Sequence, residues 1–221
     1  VVDKEGRLVG IITIDDILDV IDEEVTEDFE RMAGGIDSSD QEYLDISVWK
    51  HVKNRMPWLF LLMCSYMITG GIIQNFENVL SNVIALVTYM PMLMGTGGNS
   101  GSQSATLVIR GMALDEIELS DAFRVLWKEI RISTIIGISL SALNFARIYW
   151  FDGQSALIAM TVSVSMLVIV IAAKSIGSML PMIAKRVGID PALVASPMIS
   201  SLTDMVSVVT YFLLATAILN L

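Results

Sequence analysis

The stretch that decides the fold runs from Ala156 to Ile183 and reads ALIAMTVSVSMLVIVIAAKSIGSMLPMI, with Lys174 as its one charged residue. An apolar run of this length is typical of a helix that crosses a bilayer, which needs about 20 apolar residues. The composition agrees, because 54% of the 221 residues are hydrophobic and only 17% are charged. Soluble domains are usually about 25% charged. We therefore predict an integral, all-α membrane protein.

Further apolar stretches on both sides of this run predict five membrane-spanning helices in total. Their expected ranges are 58–73, 79–109, 132–150, 156–183 and 193–221. Pro57 is expected to open the first span, since proline fits the first turn of a helix. The second and fifth spans carry glycine, proline and small polar residues, so we expect both of them to be interrupted.

Acidic residues are concentrated ahead of the first span, and nine of them lie between Asp15 and Glu30. The net charge of −10 argues against nucleic acid as the default partner. Residues 1–3 and 8–13 are β-branched runs around a glycine turn and predict two short strands. A helix carrying Ile14, Ile17, Leu18 and Ile21 follows, with Thr13 or Asp15 as its cap. One cysteine excludes an intrachain disulfide framework, and one histidine excludes a histidine-rich metal site.

Like charges on this acidic helix stand four or seven residues apart and repel one another; Asp15 and Asp19, for example, are four residues apart. A divalent cation would relieve the repulsion, but a solvated acidic face explains the pattern equally simply. Residues 34–45 have the composition of a flexible linker. Residues 46–55 form a basic amphipathic segment that either lies at the membrane surface or runs directly into the first span.

Basic residues orient the spans, because they accumulate in cytoplasmic loops. They precede the first span and fill the second-to-third and fourth-to-fifth connections, whereas the alternate loops carry only Arg147. The N-terminus is therefore expected in the cytoplasm and the C-terminus outside, in the cell membrane.

The second predicted span contains PMLMGTGGNSGSQS over residues 91–104. Gly97 and Gly101 fit the spacing of close helix packing. Packing alone does not require asparagine, glutamine and threonine together, whereas a hydrated cation path uses carbonyl and amide oxygens. Both interpretations stay open at this point, with the cation path slightly favoured.

Asp204 lies deep in the fifth predicted span, one turn after Ser200. An acid in the middle of a bilayer costs at least about 2.5 kcal/mol on the insertion scale, so it is a functional-site candidate by default. Lys174 has a similar expected depth in the fourth span. It is either the counter-ion of Asp204 or faces a different crevice.

The segments LVGIIT (8–13) and DDIL (15–18) resemble the end of a CBS domain, and PMLMGTGGNSGSQSATL (91–107) with DPALVASPMISSLTD (190–204) resembles the MgtE magnesium channel family. The resemblance covers essentially the whole chain. It implies a homodimer with an axial Mg²⁺ pore lined by Gly95, Asn99, Ser200 and Asp204. It also implies regulatory Mg²⁺ bound by cytoplasmic acids, which here are Asp16, Asp19, Glu24, Glu27 and Asp28.

The expected organisation is a CBS fragment (1–30), a linker with an amphipathic connecting, or plug, helix (31–56) and an ion-conducting membrane domain (57–221). The start lacks an initiator methionine, so we expect the chain to begin part-way through a domain. The expected function is uptake of Mg²⁺, with Mn²⁺ or other divalent ions as further candidates, gated by intracellular Mg²⁺. The alternative is an ion-coupled secondary transporter of divalent cations. An enzyme is not expected, because no nucleophile–base pair or phosphate loop is recognisable.

Overall fold

A computed structural model describes residues 1, 3–32, 44–77, 83–194 and 196–220. Most of these residues are helical. The six α-helices of the described ranges are α1 (Ile14–Met32), α2 (Val48–Asn75), α3 (Ala85–Ala113), α4 (Ala122–Ala146), α5 (Ala156–Arg186) and α6 (Ser196–Leu219).

Four of these helices are long and apolar enough to cross a membrane: α2, α4 with its flanking turns, α5 and α6. The other predicted span corresponds to α3, which at 29 residues is just as long. Its glycine, serine, asparagine and glutamine residues make it less apolar, and α3 is not among the four.

Helix α5 is the centre of the membrane domain, and α3, α4 and α6 all pack directly against it. The core between α3, α5 and α6 includes Leu86, Leu93, Ile169 and Phe212, each at most 1% exposed. Helix α2 packs mainly against α6 and leaves most of its surface uncovered. This arrangement places α3 and α6, the two helices with the candidate polar residues, side by side.

The close approach of α3 and α5 depends on two glycines. A Cβ atom at Gly177 would overlap the carbonyl oxygen of Gly101, so the two backbones are in direct contact there. On the same side of α3, a Cβ atom at Gly97 would lie 2.6 Å from the Ser207 hydroxyl oxygen. The packing interpretation of the Gly97–Gly101 spacing is therefore confirmed.

The structure corrects two expectations about the spans. Residues 91–104 are not interrupted but belong to one unbroken helix, and Pro57 lies inside α2 rather than opening the first span. Ser47 caps α2 instead, and its hydroxyl accepts a hydrogen bond from the Lys50 amide at 3.3 Å. Proline inside a helix is tolerated in membrane proteins because neighbouring groups satisfy the freed carbonyl.

Of the two alternatives for residues 46–55, the structure shows the second, since the basic segment runs into the first span without a break. The start of the fifth span is irregular, as expected. There, Pro191–Val194 forms a 3₁₀ turn ahead of α6.

The described residues before α1 contain no regular strand but an isolated bridge at Leu8, and Val2 of the first expected strand lies outside the described residues. The Val9 amide donates to the Val1 carbonyl oxygen at 2.9 Å, but Leu8 and Ile11 are more than 70% exposed. A two-stranded pair without a packed face is only marginally stable, which explains why no regular ladder forms. The turn itself is present, with Gly6 at a φ of 78°. Thr13, not Asp15, caps α1, because its hydroxyl oxygen accepts a hydrogen bond from the Asp16 amide at 3.4 Å.

Candidate functional site

Asp204 lies on α6, about 12 Å along the helix axis from Ser196. The residue is only 9% exposed, and the hydroxyl of Tyr66 on α2 donates a hydrogen bond to its Oδ2 atom at 3.3 Å. This hydrogen bond uses one of the about four lone-pair sites with which a carboxylate can accept hydrogen bonds. The remaining capacity is available to a cation or its water shell.

Helix α3 presents a polar stripe beside α6. Gly95, Asn99 and Gln103 follow one another at intervals of four residues, and all three are exposed. No atom outside the helix lies within 4 Å of where a Gly95 Cβ would sit, in contrast to the buried Gly97 and Gly101. The packing interpretation of residues 91–104 thus applies to the inner face of α3. The outer face is an uncovered polar surface, and a cation path along it stays a prediction.

An open cavity of about 780 Å³ brings part of the predicted site together. Asn99 of α3 and Ser200 of α6 both line it, and a Cβ atom at Gly98 would lie 3.5 Å from the Ser200 hydroxyl oxygen. Gly95 precedes Asn99 by one turn, and Asp204 follows Ser200 by one turn, outside the cavity lining. The four predicted residues thus occupy consecutive turns of two neighbouring helices.

Lys174 also lines this cavity, but its hydrogen bond is not to Asp204. Its Nζ atom donates to the Ser104 hydroxyl at 3.3 Å, and that hydroxyl donates to Glu129 Oε2 at 2.6 Å. Within the described residues, no ion pair joins Lys174 to Asp204. Lys174 is therefore not paired with Asp204, and it lies in the cavity that Asn99 and Ser200 also line rather than in a separate crevice.

Sequence reasoning missed three residues of this region: Tyr66, Ser104 and Glu129. Glu129 is the one acid within the basic run from Arg124 to Arg131, and this was a usable signal. No sequence signal marked Tyr66 or Ser104. Tyrosine and serine are common in membrane helices, so their roles become visible only when the partner residue on another helix is known.

The acidic helix is tied to the membrane domain at its C-terminal end. Arg31 forms ion pairs with Glu27 on its own helix and with Asp190, which precedes α6. At the other end, hydrogen bonds from the Thr13 hydroxyl and amide lower the pKa of Asp16.

The predicted regulatory acids are distributed along this helix. Asp19 and Glu24 are exposed, and the side chain of Asp28 is outside the described residues. Across the described ranges, no three histidine, cysteine or acidic residues are grouped as metal ligands. Regulatory binding of Mg²⁺ by these acids stays a prediction.

Comparison with known proteins identifies the family of this chain. A family model described as "MgtE: Divalent cation transporter" matches residues 90–214. Proteins named "Magnesium transporter MgtE" from Thermus thermophilus and Bacillus subtilis are 43% and 36% identical over the whole of this chain. One of the same name from Enterococcus faecalis is 31% identical over 97% of it. The chain spans about half the length of these curated relatives, 46–48%. The chain belongs to the MgtE family of divalent cation transporters.

Proposed function

We propose that this chain carries Mg²⁺ across the cell membrane through a pore formed by two copies, with Asp204 as the ion-binding residue. The observation that carries this proposal is a nearly buried carboxylate in an apolar helix, next to an exposed polar stripe on α3. A carboxylate in that setting is costly unless a cation or a proton compensates for it.

The chemistry of Asp204 suits magnesium. Mg²⁺ gives up its water reluctantly, so proteins usually hold it through one or two carboxylates and several waters. Two copies of the chain would supply two Asp204 carboxylates around one hydrated ion. The amide of Asn99, the hydroxyl of Ser200 and the open backbone at Gly95 would contact the water shell. Such binding stays weak enough for the ion to leave, which conduction requires.

The exposed stripe on α3 supports the dimer. Polar side chains facing hydrocarbon are unfavourable, so Asn99 and Gln103 need water or protein beside them. A second copy related by a two-fold axis would cover this face and enclose the path between the two α3 and α6 helices. In this assembly α3 is the second of five spans, and its modest hydropathy reflects its place at the pore.

The cytoplasmic part would gate the pore. We assign residues 1–30 to a CBS fragment, 31–56 to the linker and plug helix, and 57–221 to the conducting domain, with the N-terminus in the cytoplasm. Intracellular Mg²⁺ bound by Asp16, Asp19, Glu24, Glu27 and Asp28 would draw the acidic head toward the membrane domain. The Arg31–Asp190 ion pair provides a direct link between α1 and the segment that leads into α6.

Ion flux into liposomes tests this function. The chain is reconstituted, and uptake of Mg²⁺, Mn²⁺, Ca²⁺ and Na⁺ is measured in turn with ion-sensitive dyes. We expect Mg²⁺ uptake that needs no second ion gradient, together with unitary currents in planar bilayers. Uptake that depends on a Na⁺ or H⁺ gradient would instead identify an ion-coupled carrier, and a complete lack of divalent flux would refute the proposal.

A further inference from the structure

Lys174, Ser104 and Glu129 form a buried chain of polar groups that the proposed ion path does not use. Lys174 is 5% exposed, Glu129 is 8% exposed and Ser104 is fully buried. The serine hydroxyl accepts from the ammonium at 3.3 Å and donates to the carboxylate at 2.6 Å. The chain thus joins one positive charge to one negative charge across three helices, α5, α3 and α4.

The glycine contact holds this chain in position. Gly101 lies three residues before Ser104, and Gly177 lies three residues after Lys174, so the backbone contact is adjacent to the hydrogen bond. Residues three apart share one face of a helix. Because the two backbones touch there, the lysine and the serine have little freedom to separate.

The surroundings of Lys174 are those of a cation site. The cavity it lines is also lined by the oxygen-bearing side chains of Asn99, Ser102, Gln103, Thr106 and Ser200. Neutral oxygens are among the ligands that hard cations accept. Glu129 is not part of this lining and is linked to Lys174 through the Ser104 hydroxyl. A buried carboxylate such as Glu129 requires a compensating charge, and Lys174 supplies one positive charge for it.

We infer that this cavity is a monovalent-cation pocket whose cation is the Lys174 ammonium, tethered to the protein, and that Lys174 thereby keeps Na⁺ and K⁺ out of the pocket. The single positive charge of the ammonium matches the single negative charge of Glu129, so this position needs no further cation while Lys174 is present. Lys174 is on this basis a specificity-determining residue. Its effect on transport rests on the proposed function, since it assumes that the path passes Asn99 and Ser200.

The test uses Lys174→Met, which keeps an unbranched side chain one atom shorter than lysine and removes its charge. The first readout is thermal unfolding in detergent, in NaCl against N-methylglucamine chloride at equal ionic strength. The second is the ratio of Na⁺ flux to Mg²⁺ flux in liposomes. We expect Na⁺ to raise the Tm of the variant but not of the wild type, and the flux ratio to rise at least tenfold.

Three further variants complete the test. Lys174→Arg retains the charge, the double variant Lys174→Met/Glu129→Gln removes both charges, and Lys185→Met removes an exposed lysine from the end of the same helix. All three are expected to behave like the wild type in both readouts. A Lys174→Met variant without Na⁺-dependent stability, or a double variant that leaks Na⁺ as much as the single one, would overturn the inference.

Glu129→Gln gives an independent answer if Lys174→Met does not fold. It leaves the ammonium uncompensated beside the path, so we expect Mg²⁺ flux to fall at least threefold without any gain in Na⁺ flux. Unchanged Mg²⁺ flux or a gain in Na⁺ flux would contradict the inference. If the wild type carries no Mg²⁺, the proposed function fails, and the Na⁺ dependence of the Tm of Lys174→Met still decides the identity of the pocket.

Discussion

Replacing Asp204 with asparagine removes the charge at the centre of the proposed ion path while keeping the size of the side chain. At an effective dielectric of about 20, a carboxylate about 5 Å from a divalent ion attracts it by roughly 7 kcal/mol before desolvation and screening are subtracted. If only about 1.4 kcal/mol of this remains per copy, the loss is tenfold for each subunit and about a hundredfold for a dimer.

The fold should tolerate this change. The Tyr66 hydroxyl donates the hydrogen bond to Asp204 at 3.3 Å, and the Oδ1 atom of an asparagine can accept it equally well. We therefore expect Asp204→Asn to insert and unfold like the wild type but to lose nearly all Mg²⁺ flux in liposomes. Asp204→Glu should retain some flux with altered preference among divalent ions.

Glu77→Gln serves as the matched control, because Glu77 is an exposed acid beyond the end of α2. Its Mg²⁺ flux should equal that of the wild type. If Asp204→Asn carries Mg²⁺ at the wild-type rate, Asp204 is a structural carboxylate and the assignment of the pore is wrong.

Three further changes probe the neighbourhood of this site. Tyr66→Phe deletes one hydrogen bond to Asp204, so we expect apparent Mg²⁺ affinity to change about 2- to 10-fold with an unchanged Tm; no change in affinity would separate Tyr66 from the path. Gly177→Ala forces a methyl group into the α3 backbone and should destabilise the protein by about 1–3 kcal/mol, which is measured as a lower Tm. Gly71 has open space around it, so Gly71→Ala should leave the Tm unchanged. Asn99→Cys in a Cys64→Ser background should be cross-linked into dimers by a short bismaleimide in membranes. Leu213→Cys, on the exposed side of α6, should not be cross-linked. If both variants stay monomeric, the result argues against an axial pore.

The sequence alone predicted the elements that depend on local pattern. Apolar runs of sufficient length located the four helices that can cross a membrane, and periodic apolar residues located the acidic helix. The single deep acid, Asp204, was also recognisable, because a charge within an apolar run stands out whatever its neighbours are. Three local predictions failed: strands among the described residues before α1, Pro57 at the start of the first span, and an interruption in residues 91–104. The strands failed because paired strands need a packed face that a short stretch cannot supply.

The relations between helices required the tertiary structure. Gly97 and Gly95 look alike in the sequence, yet one packs against Ser207 and the other faces outward, because the orientation of α3 depends on where α5 and α6 lie. The partner of Lys174 was undecided for the same reason. The sequence placed Lys174 at the depth of Asp204, and only the contact of Gly101 with Gly177 brings the lysine beside Ser104. Depth along a helix follows from counting residues, whereas facing direction follows from packing. It is facing direction that pairs Lys174 with Ser104 rather than with Asp204.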